Sequence, residues 1–240
     1  MVPSVQPIMS ARARAHQEVR AEILAAASRQ LAAVGPAALS LRAVARELGM
    51  VSSALYRYFA SRDDLLTALI IEAYDTLGQV AEDSASATLD RPPLERWVLA
   101  TGAVRRWAVE RPQDYALLYG SPVPGYAAPD DTVVPGTRVT RALVQIVHDA
   151  IADDRLAADG DGNMIDLSPQ TRRAFDALRA EVDLDATNDE LVAVLTAWTQ
   201  MFGLLSFELF GQTRGLIDDH EAFFREAATV MGSRIGLRAT

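Results

Sequence analysis

The chain has 240 residues, half of them hydrophobic and 23% charged, an ordinary globular balance with room for one large core or two smaller ones. With no cysteine, disulfides, thiolate metal sites and cysteine nucleophiles are excluded; with no leader-type N-terminus and no uninterrupted membrane-length apolar run, a cytoplasmic location with no membrane partner is expected. The net charge of −9 is unevenly spread: through Arg62 eight arginines face three acids, net +5, and beyond it fifteen arginines face twenty-nine acids, net −14. Only one end of such a molecule can approach a polyanion.

Residues 1–15 hold two prolines, small residues and no apolar period, and read as a mobile arm or a plain solvated tail. Arg12, Arg14 and Arg20 would let the arm or the following helix touch phosphate. That helix is expected from near Gln17 to Val34, with Val19, Ile23, Ala26, Ala27 and Leu31 inward and Gly35-Pro36 ending it. Leu41, Val44, Ala45 and Leu48 then repeat at the spacing of one helix face, and Gly49 stops that second helix. Ser52 or Ser53 can cap a third, short helix running to Phe59. Leu55 and Phe59 would face inward, leaving Ser52, Ser53, Ala54, Tyr56, Arg57 and Tyr58 elsewhere. A helix, a glycine turn and a short helix with a face of hydroxyls, a guanidinium and two phenols is a helix-turn-helix, although helix-glycine-helix also occurs in proteins that never meet DNA. Ser61-Arg62-Asp63-Asp64 starts a fourth helix with a capping pattern. Arg62 stands in its first turn against the helix dipole, a placement that suits a neighbouring phosphate.

The fourth helix should continue through Ile70, Tyr74 and Leu77 to about Ala85, too long for a three-helix domain alone, and so link it mechanically to a second. After Asp90-Arg-Pro-Pro93 a fifth helix carries Trp97, Thr101, Val104 and Ala108 on one face and closes at Arg111-Pro112. A short helix over Gln113 to Leu118 leads to a loop with Pro122, Pro124, Pro129 and Pro135, long enough to be functional or partly mobile. Further helices are expected from Thr137 to Leu156, from Ser168-Pro169 to Val182, from a Thr187–Glu190 capping box to Phe210, and from Asp218 or Asp219 onward. The last two are apolar on more than one face, which calls for a deep monomer core or a second subunit, and Glu208 would need a partner if buried.

Two features are set aside. Asp159-Gly-Asp161-Gly-Asn163 begins like a calcium loop, but Met164 replaces its glycine and Gln170 its terminal glutamate, so a polar turn is expected. His16, His148 and His220 lie on different elements without metal-ligand spacing; no metal or cofactor is expected, and no nucleophile or phosphate-loop motif suggests an enzyme.

Residues 20–70 resemble the DNA-binding domain of the TetR (tetracycline repressor-like) regulators: Val34-Gly35, Ser40-Leu-Arg-Ala-Val-Ala45, Leu48-Gly49, Leu55-Tyr56-x-x-Phe59 and Ser61-Arg62-Asp-Asp-Leu65-Leu66 keep the spacing without gaps. Arg111-Pro-x-x-Tyr115, Tyr119-Gly-Ser-Pro-Val-Pro-Gly125, Ala197-Trp198 to Phe202-Gly203 and Phe207-Glu-Leu-Phe-Gly211 are similar to the C-terminal domain of one subgroup, which often has histidine where Phe202 stands. The resemblance implies an all-α protein: a helix-turn-helix domain over residues 16–66, then a helical ligand-binding and dimerisation domain over 67–240, dimeric through the last two helices. It implies DNA contact by Ser40, Arg42, Ser52, Ser53, Ala54, Tyr56, Arg57, Tyr58 and Arg62. Arg42 and Arg57 are the expected base readers, Ala54 the thymine-methyl contact, and the serines, tyrosines and Arg62 the phosphate contacts. It also implies a pocket for a small hydrophobic effector among Tyr74, Trp97, Thr101, Tyr115, Tyr119, Trp198, Met201 and Phe202, residues whose spacing fits plain core equally well. Arg105 and Arg106 would pair with an anionic ligand or sit in solvent. The function expected is a ligand-responsive repressor; the alternative is a ligand-independent dimeric regulator or activator.

Overall fold

The computed structural model describes residues 11–153, 166–182 and 187–240; the calcium-like loop lies outside them. Ten helices and two single 3-10 turns make up the described residues, with no strand among them. The helices are α1 (Ala11–Val34), α2 (Leu41–Glu47), α3 (Ser52–Leu55), α4 (Arg62–Ser86), α5 (Pro93–Glu110), α6 (Pro112–Tyr119), α7 (Val133–Ala152), α8 (Pro169–Val182), α9 (Asn188–Leu209) and α10 (His220–Ile235). The fold is all-α, as expected.

Helix starts follow local chemistry. Ser61 accepts from the Asp64 N–H, Asp219 from the Ala222 N–H, and Thr187 and Glu190 complete a reciprocal capping box. Three boundaries differ from expectation. α1 begins at Ala11, so the last five residues assigned to the arm are helical. α7 begins at Val133 because Pro135 falls in its first turn, where a missing N–H costs nothing. α3 ends at Leu55: the Tyr58 N–H reaches back only to the Leu55 carbonyl, and the chain must then extend to the Ser61 cap. Nor does a serine cap α3; Val51 stands there without a side-chain hydrogen bond.

Two hydrophobic interiors result. Ile23, Ala27 and Leu31 of α1, Leu41 and Val44 of α2, Leu55, Phe59, and Leu65, Leu66, Ala68, Leu69 and Ile70 of α4 form the first. The second gathers α5, α7, α9 and α10 around Ala73, Leu77, Ala81 and Ala85 of α4. α4 therefore passes from one core into the other between Ile70 and Ala73, and the boundary expected at residue 66 falls within it. The α6–α7 loop also bridges them. Val123 and Tyr126 pack on the first core, and the Tyr126 hydroxyl lies 2.9 Å from Thr67 Oγ1.

α4 and α7 are held close. Arg138 of α7 donates to Asp75 Oδ1 and to the Asp75 carbonyl at 2.9 and 3.0 Å, and to Glu82 Oε2 at 2.5 Å, all on α4. Gly78 permits this approach, since a Cβ there would lie 2.5 Å from Arg138 Cβ. α9 is long and apolar enough by composition to cross a membrane, but one side of it packs into the second core through Leu191, Val194, Met201 and Leu205.

Candidate nucleic-acid interface and the adjoining helical domain

Gly49 closes α2 with φ +66°, and the Met50 N–H bonds the Ala45 carbonyl at 2.8 Å, a glycine-dependent helix end that turns the chain into α3. Leu55 and Phe59 then enter the core and fix the outward face of the α3 segment. On that face Ser53, Tyr56 and Arg57 are exposed, while Ser52, Ala54 and Tyr58 are half-buried. Arg42 of α2 is exposed beside them. Neither the Arg42 nor the Arg57 side chain has an ion pair or hydrogen bond with any described residue, so both guanidiniums have donors to spare. Ser40 precedes α2 in an extended conformation, its N–H bonded to Gln30 Oε1 at 2.9 Å and its hydroxyl unused as a cap. The outward surface is thus not packed beneath the chain's own helices.

Arg62 and Tyr58 behave differently from the rest of the set. Arg62, 29% exposed, donates to the carbonyls of Pro36 (2.7 Å) and Ala37 (3.4 Å) and pairs with Asp63 at 3.2 Å. It ties the turn before α2 to the start of α4, which explains a cation in that first turn without any phosphate. Tyr58 stacks on His16, with ring centroids 4.6 Å apart, so α1 braces the segment after α3. Between them Arg12, His16, Met50, Ala54, Arg57 and Tyr58 border an open groove of about 550 Å³. His16, Gln30 and the Pro36 carbonyl carried no signal in the sequence; each works through a partner distant along the chain.

The aromatic set of the second domain divides. Tyr119 is its centre: its ring lies 4.3 Å from Phe202, 5.0 Å from Tyr115 and 6.4 Å from Tyr74, and Trp198 meets Phe202 at 5.5 Å. Tyr115 donates to the Phe202 carbonyl at 2.9 Å. Burial pushes the Tyr74, Tyr115 and Tyr119 phenols above their ordinary range, and Tyr74 and Tyr115 raise Tyr119 further, so this ring stack stays uncharged at neutral pH. Met201 is buried in the same core. Trp97 and Thr101 are also buried, but Trp97 packs against Gly232 of α10 and Thr101 bonds the Trp97 carbonyl at 2.8 Å. The rings fill space against one another. The open volume lies beside them, a cavity of about 310 Å³ bounded by α7, α8 and α9, and Trp198 alone of the eight lines it.

The polar groups of this domain pair across helices. Arg105 is not in solvent: it makes a two-pronged contact with Glu208 at 2.9 and 2.6 Å, the side chains 12% and 15% exposed, whereas Arg106 is exposed. Arg96 meets Asp149 at 2.8 Å. At the junction with the first domain, Glu72, Asp114 and Arg111 border a cavity of about 240 Å³ reaching Leu24 and Ser28 of α1. Burial first, and then the Asp114 charge, push the Glu72 carboxyl up; burial raises Asp114 as well.

Comparison with known proteins is consistent with this geometry. Residues 23–69 match the family model of bacterial regulatory proteins of the tetR family, and residues 97–231 match that of tetracyclin repressor-like C-terminal domains. The HTH-type transcriptional regulator Rv1816 of Mycobacterium tuberculosis is 41% identical over 205 residues, covering 84% of this chain and 85% of that protein; a Mycobacterium bovis regulator matches equally. The solved structure of the regulatory protein SCO4313 is 33% identical and superposes with a TM-score of 0.72, covering 92% of this chain and 98% of its own. RolR, solved with resorcinol bound, shares the fold at 15% identity and TM-score 0.53, covering 95% of this chain and 92% of its own.

Proposed function

This chain belongs to the TetR family of transcriptional regulators, and from that premise we propose a ligand-responsive repressor that binds a pseudo-palindromic operator as a homodimer and is released by a small hydrophobic molecule. The observation that carries the DNA half is the unpartnered, exposed guanidinium pair Arg42 and Arg57 on a face that Leu55 and Phe59 hold outward. In each subunit the α3 segment would enter a major groove, the two about 34 Å apart. Arg57 and Arg42 would bridge guanine O6 and N7, Ala54 would touch a thymine methyl, and Ser40, Ser52, Ser53, Tyr56 and Tyr58 would fix register on phosphates. Arg62 would add a phosphate contact from a guanidinium that also holds the Pro36 carbonyl.

Dimerisation is supported by apolar surface left over on the last two helices. Phe207 is 56% exposed, and Phe210, Phe223 and Val230 are also exposed. Those side chains and the open space beside Gly203 suit a four-helix interface with a second copy. Effector control is supported by the helical architecture: an occupant of the second domain would shift α7, Arg138 would carry α4 with it, and α4 begins in the DNA-binding core. Releasing DNA about 100-fold requires a preference of roughly 2.7 kcal/mol for the non-binding state, ordinary for allosteric coupling. RolR's bound resorcinol supports a small ligand in this fold. The filled aromatic stack favours the second reading, a ligand-independent dimeric regulator.

Selection of bound sequences from random duplex DNA tests the proposal. A palindromic consensus is expected, with its affinity lowered by extract of the cells in which the regulator acts. Enrichment of no sequence would overturn the reading; a consensus insensitive to extract would leave the ligand-independent regulator.

A further inference from the structure

We infer that the cavity bounded by α7, α8 and α9 is the effector site, and that its occupant is a monocarboxylate with an apolar body, about ten heavy atoms in all. The inference rests on the ligand-responsive reading and gives its effector a place and a chemical class. The site lies beside the aromatic stack rather than within it, because the stacked rings leave no room between them.

The size follows from the volume. About 310 Å³ holds roughly ten heavy atoms at ~30 Å³ each, the share of a molecule the size of water in a liquid. The chemistry follows from the wall. Leu191 and Val194 of α9 and Val144 of α7 are buried and give an apolar floor. Trp198 adds an aromatic face to the wall, with its indole N–H closed off from the opening. One charged group borders the cavity: Arg141 stands exposed at the rim, its guanidinium without an ion pair or hydrogen bond to any described residue. Every other arginine that α5 or α7 brings to a helix contact is already matched: Arg96 with Asp149, Arg105 with Glu208, Arg138 with Asp75 and Glu82. Thr140, one residue before Arg141, adds a hydroxyl to the same wall. An apolar tail against Leu191 and Val194, with its charge at Arg141, matches both the floor and the rim; a neutral molecule of that size gives the Arg141 guanidinium no counter-charge.

The position also suits control. Thr140 and Arg141 follow Arg138 on α7, so an occupant pressing on that helix acts next to its ties to Asp75 and Glu82 of α4.

The test is titration of the purified full-length protein with sodium octanoate, which has ten heavy atoms, and with 1-octanol, sodium acetate and sodium stearate for comparison. Calorimetry and tryptophan emission are read together, and operator binding is followed in the same samples. Octanoate should bind at least tenfold more tightly than the other three and change an emission signal that Trp198→Phe removes. Arg141→Gln, at an exposed position that folding does not need, should weaken octanoate at least tenfold and leave 1-octanol unchanged. Thr140→Trp should abolish octanoate binding by filling the cavity. Octanoate binding no better than 1-octanol, or surviving both substitutions, overturns the inference. Operator binding separates the two levels: octanoate inert towards a protein that binds its operator refutes this site alone, whereas an absence of operator binding refutes the repressor reading.

Discussion

Arg42 and Arg57 of the DNA-binding unit and Arg96, Arg105 and Arg138 of the helical body are one residue type in two employments. In the body, Arg96, Arg105 and Arg138 each reach a carboxylate on another helix, and all three are largely shielded from solvent. In the first unit, the Arg42 and Arg57 guanidiniums are exposed and bond no described residue. A guanidinium carries five N–H donors in a planar fork, so one matched internally holds helices together, while one left unmatched at the surface awaits an acceptor from outside. On the proposed reading, the DNA-facing arginines are marked by unused hydrogen-bonding capacity together with their place on the α3 face, rather than by charge alone. Arg62 crosses the division. It sits among the expected DNA contacts, yet it spends its donors on the Pro36 and Ala37 carbonyls as a body arginine would.

Substitutions sharpen or break that division. The largest effect is expected at the buried pair. Glu208→Ala leaves Arg105 shielded without a counter-charge and should cost about 3 kcal/mol in urea unfolding, while the double change Arg105→Met with Glu208→Leu should come close to wild type. A single-variant loss below about 1 kcal/mol would put Arg105 with the surface arginines. Next comes Arg57→Ala, expected to weaken the operator complex by about 1–3 kcal/mol and to relax preference at one base pair, with the melting temperature unmoved. Arg62→Ala should show both signatures in smaller measure. A loss of about 1–2 kcal/mol in stability should accompany uniformly weaker binding to all DNA sequences and a flatter salt dependence. Were stability alone to fall, Arg62 would belong wholly with the body.

The smallest effect concerns the junction between the two regions. The Glu72 carboxyl is raised, chiefly by burial, so the folded state favours its protonated form. Its contribution is therefore fully present below the usual glutamate range near pH 4 and is lost as pH rises through the raised value. Glu72→Gln should accordingly melt slightly higher than wild type at pH 7, and the gap should close on acidification to about pH 4. A gap that widens in acid would reverse the assigned sign.

Much of the local structure was legible because its causes are local. The Leu41–Leu48 period, the stop at Gly49 and the caps at Ser61, Thr187 and Asp219 each need only residues within a turn or two. The early end of α3 was not legible, since Leu55 and Phe59 keep the same inward spacing whether the last turn is α-helical or tighter. Nor were the partners of charged groups: Arg105 and Glu208 lie 103 residues apart, and Arg62 and Pro36 lie 26 apart. For the aromatic residues the limit is different. Helical spacing puts Tyr115, Tyr119 and Phe202 on inward faces, but it carries no information on whether rings meet one another or surround a void.

The passage of α4 through both cores has one more consequence. A repressor built as two beads on a flexible string could lose its message in the slack of the string. Here no string exists, because the same rod is anchored by Leu65, Leu66 and Leu69 at one end and by Leu77, Ala81 and Ala85 at the other. Neither half can be cut away without tearing out part of its neighbour's interior.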